Sequence, residues 1–218
     1  QTFLPLYEAK MTQAYDHRAA NVVTDKTNWM RQGQTENPSI VEYQNPEYLA
    51  LPRFWIGSDE VKLPEWGSVG FKDITSPTNQ RTMIAAVGPF AGYTNHFVLV
   101  CSDCAVSRQL CLLANMNSFA YDFCSRQKIG GVTLNFFIVE QLPTFAPDTY
   151  SSHCSWSRKK TKLETWISER VLKLTCTAED MLPLADACGF TGGSFQSEYG
   201  GRLNKWDEAE RAQLMAEL

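Results

Sequence analysis

Between Leu110 and Cys124 the residues Leu110, Leu113, Met116, Asn117, Phe119 (or Ala120), Phe123 and Cys124 recur at steps of three and four. That is the period of one helical face, and it predicts a helix over about residues 107–128 that buries this side. Gly130 and Gly131 then stop it, since glycine supplies the left-handed backbone that a helix C-terminus prefers. Arg126 and Lys128 stand in the last turn, where the helix dipole favours cations. Beyond the glycines, residues 132–134 read as a short strand, Asn135 as a cap or turn before the aromatic run 136–139, and Pro143 as its end. Two basic residues and two glycines at one corner can set cations and backbone amides against a phosphate. An ordinary helix end with solvated Arg and Lys is the plainer alternative.

The chain of 218 residues, 44% hydrophobic, can bury one substantial core or two small ones. Its longest apolar stretches, residues 97–100 and 134–139, fall far short of the roughly 18 residues that a membrane helix needs. A start at Gln1 without a basic or apolar leader, and an end inside a helical pattern at Leu218, read as a segment cut from a longer protein. Seven cysteines, mostly at apolar positions such as Cys111 and Cys124, suit free thiols in a reducing cytoplasm. The net charge of -4 counts against a stand-alone nucleic-acid binder, unless a further part of the protein carries much of the phosphate contact.

Read in order, residues 1–21 form a helical connector with Leu6, Met11 and Tyr15 inward and Lys10, Asp16, His17 and Arg18 exposed. Residues 22–52 are polar and without a stable period, a long loop whose Asn and Gln amides are of the kind that read adenine edges. Strands follow at residues 53–56, 69–74, 81–87 and 97–101, the middle two joined by the turn 75–80. That hairpin brings Lys72, Asp73 and Arg81 to one polar end, either as phosphate contacts oriented by Asp73 or as an internal ion pair. Arg158, Lys159, Lys160 and Lys162 make a basic loop. Amphipathic helices are expected at residues 163–175, at 178–188 with Thr177 as cap and a bend at Pro183, and at 205–218 with Asn204 as cap.

The run from Asn117 to Pro143, N-S-F-x-x-D-F-x-x-R-Q-K-x-G-G-x-x-L-N-F-F-I-V-x-Q-L-P, resembles the end of the target-recognition region of type IIG restriction-modification enzymes and related large DNA adenine methyltransferases. More loosely it is similar to type I specificity subunits. The blocks Leu4 to Met11 with Asp16-His17-Arg18, Gly70 to Ile74 with Arg81 to Ala86, and Trp206-Asp207-Glu208 stand in the order the resemblance implies. It implies an α+β fold: a β-rich target-recognition module over residues 22–147, after the connector 1–21 and before a C-terminal helical segment, 148–218. It further implies contact with double-stranded DNA, with a methyltransferase domain in cis holding S-adenosylmethionine. The DNA-facing set is then Arg53, Lys72, Asp73, Arg81, Asn95, His96, Asn117, Arg126, Lys128, Gly130, Gly131 and Asn135. Arg53, Lys72, Arg81, Arg126 and Lys128 would position phosphates.

No catalytic residue is expected in this segment. Asn45-Pro46-Glu47-Tyr48 is similar to the N-P-P-Y signature of amino-methyltransferases, but neither a glycine-rich cofactor loop nor an apolar strand precedes it. His17, His96 and His153 are scattered, and no G-x-S-x-G elbow occurs. Cys101 and Cys104 have zinc-ligand spacing, but His153 with Cys154, or Cys176 with Cys188, make a poor second pair, so no metal is expected. The rivals are a zinc-stabilised interaction module, a hydrolase of unfamiliar type, and a structural subunit that docks through the helices bearing Trp166 and Trp206.

Overall fold

The computed structural model describes residues 2–25, 27, 29–157 and 160–218, without the side chain of Trp29. Of the basic loop, Arg158 and Lys159 lie outside the described residues. Strand β1 (Phe3–Tyr7) pairs antiparallel with β4 (Phe54–Gly57) and parallel with β7 (Gly92–Tyr93). The two-residue strands β2 (Asn21–Val22) and β3 (Thr35–Glu36) form a small ribbon, and α1 (Ile40–Gln44) follows, closed by a Ser39/Glu42 capping box. A second sheet has the order β6-β5-β8, from β5 (Ser68–Lys72), β6 (Ala85–Gly88) and β8 (Phe97–Leu99), all antiparallel. With the helices described next, the fold is mixed α+β.

The second sheet separates two packing environments, because alternate residues of a strand point to opposite faces. Val69, Phe71, Ala85 and Val87 face the main core, where they meet Leu110, Leu113 and Met116 of α2 (Val106–Asn117) and Val171, Leu172 and Leu174 of α5 (Leu163–Thr175). This core takes in residues from both sides of position 147. Ala86 and Phe97 pack on the other side with Ala9. Gly70 lies beneath the Phe97 ring, where an added Cβ would come within 2.4 Å of it, so the close approach requires glycine. The N-terminal segment is thus laid across the face of the sheet that the helices leave free.

Several expected elements differ. The helix predicted over residues 107–128 is two, α2 and α3 (Phe119–Lys128), because Ser118 is extended (φ -66°, ψ 152°) and its hydroxyl accepts from the Tyr121 amide. Gly130 and Gly131 do not adopt the left-handed backbone; α3 ends at Ile129, also extended. Residues 132–134 form only an isolated bridge, Thr133 to Ile74, and the aromatic run is the helical turn α4 (Phe136–Val139), with Asn135 at its N-terminus making no side-chain cap bond. The connector 1–21 is a strand and a 3-10 turn (Ala9–Met11), not a helix, and Asp16, His17 and Arg18 are buried rather than exposed.

Towards the C-terminus, α5 has the predicted span. Pro183 opens α6 (Leu182–Ala187) instead of bending a longer helix, a role open to proline because first-turn amides lack helical partners. A short α7 (Gln196–Tyr199) precedes α8 (Glu208–Glu217), which Asp207 caps, not Asn204. No helix among the described residues is long and apolar enough to cross a membrane.

Candidate functional site

Lys72 is the last residue of β5 and points to the same face as Gly70, away from the helical core. The 3-10 turn Ala9–Met11 comes down on that face, and between them lies a crevice of about 290 Å³ lined by Glu8, Ala9, Lys10, Lys72, Ile74, Thr94 and His96. Lys72 is only 9% exposed, yet its ammonium has no hydrogen-bond or ion-pair partner among the described residues. Burial pushes its pKa down to about 8, partly offset by the Asp16 carboxylate. On the rim, Lys10 Nζ bridges Glu8 Oε2 at 2.9 Å and the Gly33 carbonyl at 2.6 Å. The other Glu8 oxygen is buried without a partner. Lys10 and Lys72 thus share a lining with one carboxylate, Glu8, while Asp16 acts on Lys72 from outside it.

The crevice continues into a second group of expected residues. His96 Nδ1 lies 3.0 Å from Asp73 Oδ1, while the Asp73 amide donates to the His96 carbonyl and its carbonyl accepts from the Leu134 amide at 2.7 Å. Thr75 donates to the Val132 carbonyl. Lys72, Asp73, His96 and the exposed Asn135 thus gather at one sheet end, with exposed Asn95 beside His96. The expected ion pair of Asp73 with Lys72 or Arg81 is absent; Asp73 takes His96 instead, because Lys72 and Asp73 point to opposite faces. Arg53 lies outward over the Phe54 ring at 4.9 Å and reaches the crevice rim through its closeness to Gly33.

The α3 corner is of another kind. Arg126 donates to the carbonyls of Pro77 (2.7 Å), Asn79 (2.8 Å) and Gln80 (2.9 Å) and pairs with Asp122 at 2.9 Å. Asp122 also accepts from the Thr82 and Met83 amides. Burial raises its pKa, but the bonds from Arg126 and those amides outweigh this and leave it net lowered. Asn117 is buried and exchanges both side-chain bonds with the Ala85 backbone, tying α2 to β6. Arg81 donates to the Asn117 carbonyl and stacks on Phe119 at 4.1 Å. Lys128 reaches Gln141, while Gly130 and Gly131 face open space.

A buried knot that the sequence did not disclose is built around Arg18. Arg18, fully buried, donates to the carbonyls of Asn45, Tyr48, Tyr43 and Thr177, Asp16 accepts from the Tyr43 hydroxyl, and His17 Nε2 meets Asp180 at 3.0 Å. These bonds stitch the N-terminal segment to residues 43–48 and 177–180. Trp206, expected on a docking helix, is buried between Tyr43 (3.9 Å) and Arg211 (3.7 Å) ahead of α8. Of the crevice residues, Glu8, Lys10 and Thr94 were also missed; only the pairing of a strand-end lysine with a distant turn reveals them.

All seven cysteines are free thiols, Cys101 exposed and Cys104 half-buried, and no group of three or more metal-ligating side chains occurs among the described residues. A cavity of about 520 Å³ beside α5 is lined by Glu164, Glu169 and Lys173, of which Glu164 is paired to Arg108 and Lys173 to Glu210. Comparison of the chain with family models, with curated proteins and with solved structures gives no match.

Proposed function

We propose that this chain recognises duplex DNA as the sequence-reading part of an S-adenosylmethionine-dependent DNA adenine methyltransferase, with or without cleavage activity. The motif resemblance motivates the reading. The observation that carries it is the Lys72 ammonium, without a hydrogen-bond partner among the described residues, in a crevice whose lining also holds Lys10 and His96. Cations at such an edge position a phosphate backbone, while the nearby amides of Asn95 and Asn135 have the chemistry to read adenine. Methyl transfer belongs to the domain that holds the cofactor, so this chain alone neither methylates nor cuts DNA. The test is selection of bound duplexes from a randomised pool by the purified chain. Enrichment of a common sequence, with binding that weakens as salt rises, is expected; an unenriched pool overturns sequence reading.

A second reading is favoured by the exposed side chains Phe119 (73%), Phe123 (63%), Phe136 (65%) and Phe137 (62%) around α3 and α4. Apolar surface of this kind marks contact with another protein surface, here a partner or a neighbouring domain, zinc-stabilised or not. Substitution of Phe119 and Phe123 by Ser distinguishes the two: this reading predicts loss of a protein partner with DNA binding untouched. Zinc analysis tests the metal-dependent form, for which about one ion per chain is the expected stoichiometry.

A further inference from the structure

A lysine buried to 9% exposure ordinarily has a carboxylate or several carbonyls around its ammonium, because desolvating a charge without a partner is costly. Lys72 has neither within hydrogen-bond distance among the described residues, and the Asp16 carboxylate acts on it only from farther off. Lys72 lines the crevice together with Ala9 of the turn above, on the sheet face where Ala9, Ala86 and Phe97 pack. Lys10 and His96 add cation and hydrogen-bonding capacity on the rim, and Thr94 adds a hydroxyl. The one carboxylate of the lining, Glu8, is engaged by Lys10 through one oxygen, while its other oxygen is buried without a partner. Such a set lacks an anion and has the donors for one. At about 290 Å³ the space is at or below the small end of ligand sites, which run from about 300 Å³, so it takes a single phosphate group rather than a whole nucleotide.

We infer that the crevice between the turn Ala9–Met11 and the end of β5 is a phosphate site, with Lys72 on its floor, and that it seats one backbone phosphodiester of the DNA. The source of the phosphate rests on the DNA reading above; the site itself does not. Lys72 is the inner contact, making a charge-assisted hydrogen bond inside a partly dry crevice, where such bonds are strongest. Lys10 and His96 act from the rim, where solvent weakens them.

The experiment titrates the full chain with inorganic phosphate, following the Lys72 ammonium by NMR, and separately with a short duplex at several salt concentrations. Phosphate is expected to perturb the Lys72 signal. Lys72→Met is expected to weaken phosphate binding by roughly tenfold or more and to lower the slope of log affinity against log salt for the duplex by about one. Thermal melting of Lys72→Met, expected at or above that of the parent chain, shows that lost binding is not lost folding. Thr94→Glu, at a half-exposed rim position, supplies a carboxylate to Lys72 and is expected to abolish phosphate binding in a folded chain. Equal phosphate binding and equal salt slopes for the parent and Lys72→Met overturn the site while leaving DNA recognition intact. Lys72-dependent phosphate binding without duplex binding upholds the site and sinks the DNA source. No binding of either sinks both.

Discussion

The α3 corner and the β5 crevice hold similar side chains under opposite conditions. At the corner, Arg126 spreads its donors over three carbonyls of the turn 77–80 and the Asp122 carboxylate, so moving it to a phosphate would release that turn. In the crevice, Lys72 is more deeply buried and has no partner among the described residues. Guanidinium geometry explains part of the contrast: a planar fork with five donors satisfies a ring of carbonyls, whereas an ammonium on a flexible stem serves as a point charge. A cation that already holds a loop is poorly placed to grip a ligand. One held in place without a counter-charge is ready to.

Removing the corner's supports has the largest expected effect. Asn117→Ala leaves the buried Ala85 amide without its acceptor and is expected to cost about 3 kcal/mol in denaturant unfolding. Arg126→Ala, which frees carbonyls that water can reach, is expected to cost about 2 kcal/mol. Both should leave duplex affinity unchanged below their melting temperatures. The Asp122 carboxyl adds a pH signature: with its pKa net lowered in the fold, its contribution is present above the unfolded value near pH 4 and is lost as pH falls through the folded value. Asp122→Asn should flatten that acid limb.

Lys72→Met tests the other side with the opposite sign. Its folded pKa of about 8 lies below the unfolded value near 10.4, so the unfolded chain holds the extra proton between them and the parent's stability rises with pH across that window. The groups facing Lys72 are Glu8, Lys10 and His96 from the crevice walls, and the Asp16 carboxylate, outside that lining, also acts on it. Replacing it with Met is expected to raise stability at pH 7 by about 2 kcal/mol and to remove the alkaline rise. A parent chain whose stability is flat from about pH 8 to 10 would contradict the unpartnered state of Lys72. The smallest effects belong to exposed positions: Lys128→Ala and Asn95→Ala should each change stability by less than about 0.5 kcal/mol.

Legibility in the sequence followed how local each determinant is. Alternation in residues 69–71 and the three-and-four spacing after Leu163 specify β5 and α5 because their buried faces are written within one segment. The break at Ser118 escaped the same rule, since apolar spacing runs across it and the deciding bond, Asn117 to Ala85, comes from a distant strand. Gly130 and Gly131 suggested a left-handed cap, yet α3 ends in extended backbone because residues 132–134 continue directly into pairing with 73–75. The charges of Asp16, His17 and Arg18 implied exposure; their burial depends on distant partners, carbonyls of residues 43–48 and 177 for Arg18, the Tyr43 hydroxyl for Asp16 and Asp180 for His17. At the site, Lys72 and His96 were legible as polar strand ends, while Glu8 and Lys10 depended on how the first strand folds back.

Salt dependence of duplex binding, compared between Lys72→Met and Arg126→Ala, decides where the phosphate is held. The slope is expected to fall by about one for Lys72→Met and to stay unchanged for Arg126→Ala. The reverse pattern would put the phosphate contact at the α3 corner and contradict the account.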